Sequence, residues 1–134
     1  MNYSSAATSI SRQGATIQIK QATVAFGITA ATAETLPNPA ELFLGSLSAC
    51  MLKNVERFSL LMDFTYTTAA ITIEATRLEK PPRIDEIQYL LKIHSKDEHL
   101  NLSLLKKNIE KHGTIYNTVK EVCSITGVIE IVTE

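Results

Sequence analysis

An α+β fold in a single domain is predicted by three observations. Strand-like alternation brackets one long apolar helix, two shorter helical patterns come late in the chain, and strands and helices do not alternate as a doubly wound parallel sheet would require. The pairing expected from this order is antiparallel. At 134 residues and 45 % hydrophobic content the chain matches one core, so residues 1–134 are read as one domain.

The first residues, Met1 to Gly14, are rich in Ser and Ala and read as a frayed arm or a poorly marked first strand. Ile17 and Ile19 then alternate with Gln18 and Lys20, and Val24 to Ile28 continues in strand-compatible composition, which predicts an amino-terminal hairpin or meander. Pro37-Asn38-Pro39 ends it and sets a proline where a helix begins. From Pro39 to about Met62 the residues Leu44, Leu47, Met51, Val55, Phe58 and Met62 recur at helical spacing. The first half is apolar on nearly every side and is expected to be buried all round; Lys53, Asn54, Glu56 and Arg57 give the second half a polar face.

Two strands follow. Ile71, Ile73 and Ala75 alternate with Thr72, Glu74 and Thr76; Ile87, Tyr89, Leu91 and Ile93 share one face of the next, after a turn at Pro81-Pro82. A second helix is expected from Asn101 to His112, with Leu104, Leu105 and Ile109 inward, Lys106, Lys107, Glu110 and Lys111 mostly outward, and Gly113 as its carboxy-terminal cap. Thr114 is expected to cap a third helix reaching about Val122, and Val128, Ile129, Ile131 and Val132 to form the last strand.

Charge points to no partner. The 13 basic and 14 acidic side chains nearly cancel, and the Lys106, Lys107, Lys111 cluster lacks interleaved aromatics, so neither nucleic acid nor an anionic membrane is expected. Leu42 to Leu52 is apolar but far shorter than the ~20 residues of a membrane span. The amino terminus has no secretory pattern, and the expected location is the cytoplasm, where two cysteines are thiols.

Cys50 is the residue whose setting suggests chemistry. Gly45-Ser46-Leu47-Ser48-Ala49 before it are mostly small, which permits close approach; Lys53 and Arg57 are candidates to favour its thiolate. Packing as a small hydrophobe is the alternative for Cys50, and the favoured reading for Cys123. His94 and His99 flank a polar turn without a third ligand at any recognised spacing, so no metal is expected, and no cofactor motif is present. His112 suits the negative end of its helix.

Asn38-Pro39-Ala40-Glu41-Leu42-Phe43-Leu44-Gly45-Ser46-Leu47-Ser48-Ala49-Cys50 resembles the helix-opening motif of the OsmC/Ohr family, in which Asn-Pro leads into a long helix bearing the reactive Cys. Gly113-Thr114-Ile115-Tyr116-Asn117-Thr118-Val119 is similar to that family's Cys-Pro-Val-Tyr-Asn-Thr-Leu segment. The resemblance implies antiparallel sheets wrapped around long central helices in an intertwined homodimer, with active sites at the subunit interface. It also implies attack by the first Cys on a hydroperoxide, polarisation by an Arg, and resolution by a second Cys. Here the second Cys maps onto Gly113. Ala40 stands where many members carry the Glu that orients the Arg, with Glu41 about 100° farther round the helix. Arg12 alone lies at a suitable distance ahead of Cys50.

The site residues so implied are Cys50, Arg12 and Glu41. The expected function is a thiol-dependent peroxidase for organic or fatty hydroperoxides, active as a homodimer and completed by an external thiol. A noncatalytic dimeric binding protein of the same fold is the alternative, and a thiol enzyme of another chemistry a third.

Overall fold

The computed structural model describes residues 1–133 in two compact units, the first Met1–Phe43 and the second from Leu44 onward. The first unit holds an antiparallel meander of β1 (Ala6–Ile10), β2 (Gly14–Ile19) and β3 (Ala22–Phe26). Of the two readings of this stretch, a frayed arm or a poorly marked first strand, the structure has the strand. β1 is exposed throughout, so no buried face imprints a pattern on its sequence. A single 3₁₀ turn, Ala30–Thr32, follows, and Gly27 N–H donates to Pro37 C=O at 3.0 Å.

Helix α1 (Pro39–Leu61) opens with a capping box. Glu41 N–H donates to Asn38 Oδ1 at 2.9 Å, and Asn38 N–H donates to Glu41 Oε1 at 3.1 Å. These two bonds satisfy donors that a helix start otherwise leaves open. Within one chain, only Leu47 and Met51 are buried between Pro39 and Met51, so the first half of α1 is not covered all round. The second half buries more, including Asn54, which the sequence put on a polar face.

The second unit is built on a mixed sheet. β4 (Thr68–Glu79) pairs antiparallel with β5 (Pro82–His94), as expected, but β6 (Ser124–Val132) pairs parallel to β5. That corrects the all-antiparallel expectation. The connection from β5 to β6 contains α2 (Leu102–His112) and α3 (Thr114–Val119), long enough to return the chain to the start of the sheet.

Ile87, Tyr89, Leu91 and Ile93 of β5 are all buried, as their alternation predicts. The fully buried side chains of this unit come from α1 (Leu47, Met51, Val55), β5 (Ile87, Leu91, Ile93) and α2 (Leu105, Ile109). Leu104, expected inward, is exposed, because the buried stripe of α2 centres on the i, i+4 pair Leu105 and Ile109.

Asn101 caps α2 by accepting Leu104 N–H at 3.0 Å. The turn between His94 and His99 is organised by Asp97, which accepts Thr65 N–H at 2.9 Å and His99 N–H at 2.8 Å. The His99 and Thr65 backbone donors, in that order, hold the Asp97 carboxyl below its usual range. Among the described residues no group of three or more His, Cys, Asp or Glu side chains could hold a metal. Among the described residues no helix is long and apolar enough to cross a membrane.

Candidate functional site

Cys50 is half-buried on α1, about three turns from the helix start. Its sulfur meets the corner between α2 and α3. A Cβ built on Gly113 would lie 2.9 Å from Cys50 Sγ, 3.0 Å from Tyr116 Cβ and 3.2 Å from Asn54 Nδ2. Gly113 serves both as the C-cap of α2 and as the N-cap of α3. Its φ of −80° and ψ of 121° are open to any residue, so what sets this position apart is its close side-chain neighbours and not a left-handed cap. Thr114, expected as the cap of α3, is instead its first helical residue.

The corner is tied down by a carboxylate. Glu110 Oε2 accepts the hydroxyl of Tyr89 at 2.9 Å and that of Tyr116 at 3.1 Å. Both phenols are pushed well above their ordinary range, first by burial and then by the nearby Glu110 carboxylate. Glu110 thereby links α2, α3 and β5 through one oxygen and fixes Gly113 against Cys50. The sequence assigned Glu110 to the solvent side, yet it is half-buried.

Asn54 is one helical turn beyond Cys50 and 7 % exposed. Its i, i+4 spacing from Cys50 was the available signal, hidden by Lys53, Glu56 and Arg57 around it. Lys53 and Arg57 are exposed, and the Arg57 guanidinium sits 5.4 Å above the Phe58 ring. Phe58 in turn faces His112, with ring centroids 5.6 Å apart.

Cys123 is placed differently. α3 ends at Val119, so Cys123 lies in the turn before β6 and not near the end of a helix. It is buried, with its thiol 3.4 Å from Ile84 C=O; burial foremost, with Asp85 nearby, pushes its pKa up. Both cysteines are free thiols. Arg12 and Glu41 belong to the first unit: Arg12 is exposed at the β1–β2 turn with φ 67°, and Glu41 closes the α1 capping box. The centre made by Cys50, Asn54, Gly113 and Tyr116 belongs to the second.

The OsmC-like protein family matches residues 31–127, which include both Cys50 and the Gly113 corner. The chain belongs to the OsmC-like protein family. Comparison with curated proteins gives no match. Among solved structures, an OsmC-like protein from Mycoplasma pneumoniae superposes with a TM-score of 0.86 at 17 % identity, covering 98 % of each chain. The organic hydroperoxide resistance protein OhrB of Bacillus subtilis gives a TM-score of 0.64 at 14 % identity, covering 95 % of this chain and 98 % of its own. An organic hydroperoxide resistance protein from Legionella pneumophila gives 0.65 at 12 % identity over 96 % of each chain. At these identities the likeness is one of fold, and this OsmC-like chain shares it across nearly its whole length.

Proposed function

We propose that this OsmC-like chain is a thiol-dependent peroxidase that reduces organic or fatty hydroperoxides through Cys50, with an external thiol completing the cycle. The observation that carries the reading is the meeting of Cys50 Sγ with the Gly113 corner, where the resemblance implies a pair of sulfurs and this chain has one. Thiolate attack forms an S–O bond as the O–O bond breaks, leaving an alcohol and a sulfenate on Cys50 that takes a proton from solvent to become sulfenic acid. An external thiol then condenses with the sulfenic acid, releasing water, and a second thiol reduces the mixed disulfide.

Arg12 is the proposed polarising arginine and Glu41 its carboxylate partner, with Glu41 Oε2 left over from the capping box for that role. The working unit is proposed to be one OsmC-like domain, residues 1–134, assembled as a cytoplasmic homodimer. The exposed and half-buried first half of α1 supports a second copy as its cover, since an apolar helix face this long is costly to leave in water.

Stopped-flow mixing of reduced protein with cumene and linoleic hydroperoxides tests the activity. Oxidation much faster than that of free cysteine, abolished in Cys50→Ser, is expected; a wild-type rate equal to free cysteine overturns the proposal. The second reading, a noncatalytic binding protein, is favoured by glycine at position 113, and it predicts that wild-type result.

A further inference from the structure

Asn54 as a residue is more than nine-tenths buried, and no hydrogen bond joins its side-chain amide to another described residue. A buried amide without a partner is costly to keep, so such a group signals a ligand or a function. Its direction is informative. The Asn54 Nδ2 and the Cys50 Sγ both lie within 3.2 Å of one point, the position a Gly113 Cβ would occupy. No side-chain nitrogen or oxygen among the described residues is both sealed from solvent and unpartnered, so the amide keeps a narrow opening to solvent. Of the other residues nearest that point, Gly113 has no side chain, and the Tyr116 hydroxyl is committed to Glu110.

We propose that Asn54 is a catalytic residue of this centre, its amide N–H donating a hydrogen bond to the oxygen that Cys50 takes from a hydroperoxide. The proposal rests on the peroxidase reading. In the step concerned, the Cys50 thiolate attacks the distal peroxide oxygen, an S–O bond forms and the O–O bond breaks. Sulfur loses two electrons, the peroxide gains them, and the leaving alkoxide departs as alcohol with the hydroperoxide's own proton. The oxygen left on sulfur is a sulfenate anion, which later takes a proton from solvent. The bond pair goes to the leaving oxygen, and negative charge reaches the oxygen on sulfur as its proton passes to that leaving group; a fixed donor stabilises the charge there more than it stabilises the thiolate before attack. With no cysteine at position 113 to consume the sulfenate, the amide also holds it until an external thiol arrives.

The test compares two reactions of the same sulfur. Alkylation of Cys50 by iodoacetamide delivers no oxygen, whereas reaction with cumene hydroperoxide does. Asn54→Leu keeps the side-chain shape and removes the donor; Asn54→Ala is the second variant in case Leu disturbs packing. The expected result is a peroxide rate lowered on the order of 100-fold in both, with Cys50 alkylation near the wild-type rate, and a shorter-lived sulfenate in dimedone trapping. Peroxide and alkylation rates falling together would show that Asn54 only places the sulfur, which overturns the proposal, as does an unchanged peroxide rate. Wild-type oxidation no faster than free cysteine would overturn the peroxidase reading itself and this inference with it.

Discussion

The approach of Cys50 Sγ to the place a Gly113 Cβ would take decides what single substitutions do at the centre. Across a disulfide, a Cβ sits about 3 Å from the opposite sulfur, given the S–S length and the Cβ separation. The 2.9 Å between a Gly113 Cβ and Cys50 Sγ matches that geometry. Gly113→Cys is therefore predicted to form a disulfide with Cys50 on mild oxidation, read as the loss of two hydrogens by intact mass and a linked peptide pair. Cys123 is predicted to form no such bond within a chain, because its thiol is buried beside Ile84. Cys123→Ala is predicted to leave the peroxide rate at the wild-type value, and stopped-flow traces check it. Glu41 and Asn54 show how far single residues could be read. Glu41 stood at the capping-box spacing from Asn38, and the structure gives it that job; Asn54 was hidden because a polar residue among charged neighbours on a helix looks solvated.

At the scale of elements, β5 and β6 are locked by a cross-strand pair in which Tyr89 faces Gly127. A Cβ on Gly127 would overlap the Tyr89 ring, whose hydroxyl is held by Glu110, so the ring cannot swing aside without giving up that bond. Gly127→Ala is predicted to destabilise the protein by about 1–3 kcal/mol, measured as a lowered urea midpoint. Removing the α1 capping box by Asn38→Ala is predicted to cost about 1 kcal/mol by the same measurement. The long elements were legible because their patterns are periodic: the buried face of β5 and the start of α1 at Pro39 stand where the alternation and the proline put them. The parallel pairing of β6 was not legible. Strand direction is set by the α2–α3 crossover and leaves no period in β6 itself. Gly113 caps α2 as its position predicts, but with φ −80° and not in the left-handed conformation a glycine after a helix usually signals; its crowded neighbours left no mark in the sequence.

For the molecule as a whole, buried phenols set the alkaline limit. Tyr66, whose hydroxyl donates to Glu56, is pushed up to about 12, first by burial and then by that carboxylate, and Tyr89 and Tyr116 are raised as well. A raised folded-state pKa contributes stability that is complete below the unfolded value near 10 and is lost as pH climbs through the folded value. Stability is predicted to fall above pH ~10, with the tyrosinate absorbance of these residues appearing together with loss of far-ultraviolet dichroism. The proposed homodimer predicts a dimer at micromolar concentration in analytical ultracentrifugation, and a monomer there would remove the second copy as the cover for α1. The proposed single-cysteine peroxide centre at Cys50 is tested by intact-mass analysis with peptide mapping after one equivalent of cumene hydroperoxide. The expected product carries one added oxygen on Cys50, or one external-thiol adduct when thiol is present, with Cys123 unmodified. An unmodified chain, or a quantitative Cys50–Cys123 crosslink, would contradict it.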